Sequence, residues 1–308
     1  MTIPIPIPIP APIPAPGAHG GDVERIARAL GRDPDSMLDL SASLNPVAPD
    51  VVTLASAHLG SLRRYPDSSD AHRLLATAIG VEPESLLVTN GGAEAIALVA
   101  HHLGGRVEEP EFSLHPRGPA QAPLWRSNPH NPTGLLAGPD ERADVWDEAF
   151  YPLATGEWTR GDPGALAVVG SLTKLFACPG LRMGFVLGAP DLVAALRARQ
   201  PHWAVGGLEL ALLPELLASA DLPGWAAQIA ELRDELADLL RGHGLVPHPS
   251  DANFLLCDAP AGFRDRLLAQ GIVVRDCSSF GLPEKVRIAV PDHDGIERLA
   301  RALTAIEP

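Results

Sequence analysis

Lys174 stands in GSLTKLFACPGLRMGF, Gly170 to Phe185, directly after the apolar run ALAVVGS, and Arg182 follows eight positions later. A lysine delivered by such a run is sheltered from water. Desolvation lowers an amine's pKa toward the range where it is a nucleophile that can condense with an aldehyde. Ser171-Leu172-Thr173-Lys174 also fits S-x-x-K, the motif of serine-nucleophile enzymes such as penicillin-binding proteins. That chemistry also needs S-D-N and K-T-G; the chain has only SDAN at 250–253 and no K-T-G, so the rival fails.

Three further stretches carry chemistry. In LLVTNGGAEAI a strand runs into Asn90-Gly91-Gly92-Ala93 and a helix begins at once. Free amides at a helix N-terminus, with glycines that let the backbone approach closely, make an anion site. Neither G-x-G-x-x-G nor the Walker pattern occurs, so dinucleotide and P-loop chemistry lose their main support. SNPHNPTGLL holds Asn128 and Asn131 in a proline-bounded loop ending at Gly134, which fixes the direction of an amide. DVWDEAFYPL places Asp147 and Glu148 at the end of a short apolar run, and the carboxyl ends of α/β strands are where such sheets bind ligands.

Strands alternating with helices must position these residues, which argues for an α/β architecture. Strand patterns fall at SLLVT, GALAVVGS, RMGFVLG, ANFLLCD, GIVVR and KVRIAV. Helical patterns follow Asp22, run from SDAHRLLATAI to Gly80, and occupy 190–199, 205–219, 223–242, 261–270 and 293–306. In the third of the numbered helices Trp225, Ile229, Leu232, Leu236 and Leu239 mark one apolar face. The first 16 residues alternate proline with isoleucine or alanine, which forbids a helix and favours extended structure. They lack the basic start and unbroken apolar core of a secretory signal. The division expected is a proline-rich leader (1–18), an N-terminal arm (19–48), a large domain (49–200) and a small C-terminal α/β domain (201–308).

A chain of 308 residues, 46% hydrophobic and 20% charged, has room for a large core. Its formal net charge of −14 argues against a broad nucleic-acid or anionic-membrane surface, though not against a local basic site for a small anion. Cys178, Cys257 and Cys277 are too scattered for a disulfide framework or zinc site and are expected in the core, in a reducing cytoplasm. No run is long and apolar enough to span a membrane.

Taken in order, the glycine turn, NPTG, DEAF, SLTK, PGLRMG and KVRIAV resemble the pyridoxal-phosphate enzymes of fold type I, in the aminotransferase class I/II branch. The resemblance covers everything after the leader. HGGD at 19–22, LSASLNP at 40–46 and RYPD at 64–67 are similar to the subgroup of histidinol-phosphate aminotransferases and threonine-phosphate decarboxylases, the first two favouring the decarboxylase of cobalamin synthesis. The resemblance implies a large domain with a mixed, mostly parallel sheet, a small C-terminal domain, a homodimer and pyridoxal 5′-phosphate as cofactor.

It also implies roles. Lys174 would hold the cofactor covalently and later move a proton; Asp147 would pair with its pyridine nitrogen and Asn131 with its ring oxygen. Gly91, Gly92 and Ala93, with Ser171, Thr173 and Arg182, would hold its phosphate, and Tyr65 would reach the phosphate in a neighbouring subunit. Arg287 would clamp the substrate carboxylate, with Asn45 assisting, and Arg275 and His19 would take a phosphate on the substrate. Which bond at the substrate's Cα lies perpendicular to the cofactor ring then separates decarboxylation from transamination. A different class of function, a pyridoxal-phosphate-binding protein without turnover, is the alternative.

Two features depart from the family's pattern. PEFSLH puts His115 where the family stacks an aromatic ring on the cofactor, which would make binding sensitive to pH, and Phe150 replaces a tyrosine that often touches the ring oxygen. Only 12 residues separate His115 from Asn128, and 12 separate Gly134 from Asp147. Relatives carry strand-and-helix units in both gaps, so a thinner or rewired sheet and a missing wall of the site are expected.

Overall fold

A computed structural model describes residues 14–17 and 19–306. The expected polyproline leader lies mostly outside the described residues. The strands are β1 (Leu38–Leu40), β2 (Leu86–Thr89), β3 (Trp125–Ser127), β4 (Val145–Asp147), β5 (Ala167–Ser171), β6 (Gly184–Gly188), β7 (Val246–Pro247), β8 (Phe254–Asp258), β9 (Ile272–Asp276) and β10 (Lys285–Ala289). The helices are α1 (Val23–Leu30), α2 (Val51–Ser56), α3 (Ser69–Ile79), α4 (Gly91–Leu103), α5 (Tyr151–Thr155), α6 (Leu172–Leu175), α7 (Pro190–Arg197), α8 (Gly207–Ala218), α9 (Leu222–Gly242), α10 (Phe263–Ala269) and α11 (His293–Ile306).

Two five-stranded sheets result among the described residues. The first has the order β2-β6-β5-β4-β3; β3, β4 and β5 pair in parallel, and β6 runs antiparallel to both its neighbours. Its strands are short and almost wholly buried, as expected where both faces are covered. On one face α4 and α7 enclose Ile96, Val99, Val145, Val169, Val186 and Leu196. On the other, α3, α8 and the start of α9 close over Trp146, Val168, Leu172 and Phe185.

The second sheet has the order β1-β9-β10-β8-β7, backed by α9, α10 and α11. Here the structure amends the expected division in two places. β1, from the N-terminal arm, pairs in parallel with β9 and so belongs to the C-terminal sheet. The buried leucines of α8, with Leu222, Trp225 and Ile229 of α9, sit in the core of the first sheet, whereas Leu232, Leu236 and Leu240 sit in that of the second. This packing draws the division within α9 rather than at residue 200. Of the five residues expected on the apolar face of α9 all are buried except Leu239, which is half-buried while Leu240 takes the inner position.

The two short segments have consequences. The first, between β3 and the end of α4, forms no helix; Arg117 fastens it instead, donating to the carbonyl oxygens of Glu111, Phe112 and His115 and to the Glu109 carboxylate. The second, between Gly134 and β4, is laced by Arg160, whose guanidinium donates to the carbonyls of Ala137, Gly138, Pro139 and Glu141 and lies 5.0 Å from the Trp146 ring centre. A planar, always-charged group with five donors suits this task of satisfying the backbone of an irregular loop.

Candidate active site

The main cavity opens where the carboxyl ends of β4 and β5 meet the N-terminus of α4, with the N-terminal arm along its rim. His19, Gly92, Ala93, Asn131, Asp147, Ser171, Thr173, Lys174, Arg182 and Arg287 all line it. These are ten of the residues singled out from the sequence, drawn from positions 19 to 287.

The floor is built by β5 running into the single turn α6. Ser171 ends the strand, and the Leu172 amide bonds the Met183 carbonyl, so the chain turns with Lys174 facing the cavity. Burial, and after it the positive charges of Arg287 and Arg182, pull the Lys174 ammonium down to about 8. A substantial fraction of neutral amine therefore exists near neutral pH, as a nucleophile requires.

Beside the end of β5 is the glycine turn, where a Cβ on Gly92 would lie 3.5 Å from the Cβ of Ser171. Gly91 has φ +73, and a Cβ there would lie 2.6 Å from Nη2 of Arg182. Gly184 is equally constrained, because a Cβ on it would stand 2.5 Å from the Gly91 carbonyl carbon. The glycines thus let β6 and the turn approach, and they bring a guanidinium against the first turn of the 13-residue α4. Backbone amides, helix dipole and arginine meet beside Ser171, an arrangement suited to a phosphate, whereas the buried Thr173 hydroxyl is turned to the carbonyls of Leu181 and Met183, 3.3 Å from each.

Asp147 ends β4 and lines the same cavity. Its Oδ1 accepts from the Ala149 amide at 3.0 Å and its Oδ2 from His115 Nε2 at 2.9 Å. Here the structure corrects the expectation for His115. It does not stack on anything in the cavity; its side chain is fully buried behind Asp147, against Trp125 and Phe112. Phe112 and Leu114 of the same segment line the cavity instead. Phe150 lines it too, packed edge-on against Phe254.

Arg287, on β10, is wholly buried; burial lowers it to about 10, still charged at neutral pH. Its Nη1 donates to Asn131 Oδ1 at 2.6 Å, and its guanidinium carbon lies 4.5 Å from the Phe254 ring centre. Asn131 and Arg287 thereby hold each other at the rim.

The remaining expected residues lie elsewhere. Asn45 does not line the cavity: its Nδ2 donates to the Leu175 carbonyl and its amide to that of Lys174, so it braces the turn that carries the lysine. Arg275 donates to the Gly17 carbonyl at 2.8 Å and to Ser279 Oγ at 2.7 Å, in a small adjoining cavity that shares His19 and Ser41 with the main one. Tyr65 is 80% exposed and rests on Trp203, outside the cavity of its own chain. Sequence reasoning quoted HGGD and LSASLNP without giving a role to their Gly20, Ser41 and Ser43, and it missed Phe112 and Glu111, the latter's spacing of four from His115 being the available clue.

These residues fit pyridoxal phosphate: a depressed lysine for the aldehyde, a phosphate cradle built on the close approach of Gly91 to Arg182, and a carboxylate on the same cavity for the ring nitrogen. Residues 113–303 match the family aminotransferase class I and II. The chain belongs to that family. The family works with pyridoxal phosphate.

Threonine-phosphate decarboxylase of Salmonella typhimurium is 30% identical, over 93% of this chain and 95% of that protein. Histidinol-phosphate aminotransferase 1 of Dechloromonas aromatica is 26% identical, over 92% and 94%. The histidinol-phosphate aminotransferase of Sinorhizobium meliloti, solved in complex with pyridoxal-5′-phosphate, superposes with a TM-score of 0.78 at 18% identity, covering 92% of this chain and 95% of that one. The match to the Salmonella enzyme extends over 352 aligned positions against 308 residues here, which accords with the two short segments. Among the described residues, no helix is long and apolar enough to cross a membrane.

Proposed function

We propose that this chain is a pyridoxal-phosphate enzyme of the cytoplasm acting on a phosphorylated amino acid or amine, in first place an L-threonine-O-3-phosphate decarboxylase of cobalamin synthesis. The carrying observation is that His19 and Ser41 line both the main cavity and the adjoining one beside Arg275. A substrate whose carboxylate meets Arg287 then has a second cationic position within reach for a phosphate. The similarity to the Salmonella decarboxylase over nearly the whole chain supports the same choice. A histidinol-phosphate-type aminotransferase is the second reading, favoured by the similarity to the Dechloromonas enzyme.

In this reading Gly92, Ala93, Ser171 and Arg182 hold the cofactor's phosphate, with the Gly91 turn giving the approach; Asp147 accepts from its ring nitrogen, and Asn131 donates to its ring oxygen. The bound cofactor supplies an electron sink for charge developing at the substrate's Cα. Lys174 supplies the neutral amine and carries a proton to or from Cα at Nζ. Arg287 orients the carboxylate through its fork of donors. Phe112, Leu114 and Phe150 keep water from the reacting atoms. Tyr65 serves the cofactor phosphate of a second copy, in a homodimer, which explains its exposure here.

The test is product analysis. With O-phosphothreonine the protein should release carbon dioxide; with histidinol phosphate and 2-oxoglutarate it should give little glutamate. Glutamate without carbon dioxide would select the aminotransferase. Neither product, from protein that holds the cofactor, would leave a binding protein.

A further inference from the structure

His115, expected to stack on the cofactor, lies behind Asp147 instead, and its second ring nitrogen is unaccounted for. Nε2 faces Asp147 Oδ2 at 2.9 Å, and a carboxylate only accepts, so Nε2 carries a hydrogen. Nδ1 is buried with no hydrogen-bond partner, 3.8 Å from Oε1 of Glu111. Glu111 is itself buried, and it takes the amides of Ser127 at 2.8 Å and Phe112 at 2.7 Å and the hydroxyl of Ser127. Three donors satisfy it as a carboxylate.

We propose that Glu111 is a positioning residue that acts through His115: it holds the imidazole doubly protonated, so that a carboxylate–imidazolium–carboxylate row stands behind the cofactor's ring nitrogen. A bare Nδ1 lone pair would face a carboxylate oxygen in a dry pocket, whereas an N–H there is attracted to it. The charges then add sensibly. An imidazolium alone would cancel Asp147 and spoil it as partner for a protonated ring nitrogen. With Glu111 behind it, the row keeps one net negative charge, and the Asp147 carboxylate is locked by His115 on one oxygen and the Ala149 amide on the other. The other charged groups near the row are few. Glu109 and Arg117 pair with each other on the loop, Glu148 follows Asp147 in the chain, and Lys174 and Arg287 face the cavity from the floor and rim.

The purpose of the row rests on the cofactor reading above, but its protonation does not, so the two can fail separately. Nitrogen-15 NMR of histidine-labelled, cofactor-free protein at neutral pH should show both ring nitrogens of His115 protonated. The wild-type spectrum needs no variant; a bare Nδ1 in it overturns the proposal. In Glu111→Gln, Nδ1 should lose its proton and the dissociation constant of pyridoxal phosphate should rise about tenfold, as for coupled residues in contact. In a His115→Gln background the same substitution should add nothing. An equal loss in both backgrounds would make Glu111 a structural acceptor for Ser127 and refute the relay.

Discussion

Removing the amine of Lys174 should make the cofactor-free protein more stable, not less. The ammonium is half-buried in the cavity floor near Arg287 and Arg182, and its pKa falls from 10.5 to about 8. At about 1.4 kcal/mol per unit, holding the charged form in the fold costs about 3 kcal/mol. The sign follows from proton counts. Between pH 8 and 10.5 the unfolded chain binds the proton and the folded one does not, so wild-type stability gains from rising pH in that window. Below pH 8 the full cost is present; above 10.5 it is gone. Lys174→Met, similar in volume and uncharged, should therefore be about 3 kcal/mol more stable at pH 7 in urea titrations, with the difference shrinking to a packing residue by pH 10.5. Other groups titrate alike in both proteins and cancel. Equal stability at pH 7, or a gap that does not depend on pH, would refute the claim that this amine is held desolvated against two guanidinium groups. The same variant, given pyridoxal phosphate and borohydride, should trap no cofactor.

Three other outcomes are expected. Gly91→Ala combines an unfavourable positive φ with a Cβ 2.6 Å from Nη2 of Arg182, so the cofactor's dissociation constant should rise at least tenfold by fluorescence titration, and unchanged affinity would remove the phosphate cradle from that turn. Arg287→Lys keeps the charge but loses the fork that holds Asn131 and a carboxylate together; KM for the amino-acid substrate should rise on the order of a hundredfold with cofactor affinity nearly constant, and a normal KM would place the carboxylate elsewhere. Burial raises the Glu148 carboxyl from 4.5 to about 7, so the folded state binds the extra proton and stability falls as pH rises between those values by about 3 kcal/mol; Glu148→Gln should flatten that slope in denaturant titrations, and an unaltered slope would exclude Glu148 as its source.

The fold and much of the site were legible because they depend on local rules. A strand feeding a glycine turn, a proline-bounded asparagine and a lysine behind an apolar run each announce themselves within a few residues, and their order along the chain identifies the family. His115 was misread because PEFSLH holds two rings three positions apart and the pattern alone does not say which of them faces the ligand. The structure sets the imidazole behind Asp147 and Phe112, three positions earlier, on the wall of the cavity. Asn45 was misplaced for a related reason: an amide at the end of an arm can face a ligand or brace a turn, and only the fold shows that it meets the carbonyl of Leu175. The assignment of β1 to the C-terminal sheet joins positions 38–40 to 272–274, a separation no local pattern encodes.

The two short segments take material from the walls of the site and leave its floor. Lys174 stands on α6 just after β5, Asp147 on β4 and the glycine turn at the start of α4, and these elements pair and pack about one sheet. What the loops would otherwise lack is hydrogen-bonding partners for their carbonyls, since an unpaired buried carbonyl costs about 1–3 kcal/mol. Two arginines meet that need, Arg117 for the segment of 109–117 and Arg160 for 137–141, each reaching at least three carbonyls. The rim is open to solvent there, where Leu114 is 42% exposed and lines the cavity.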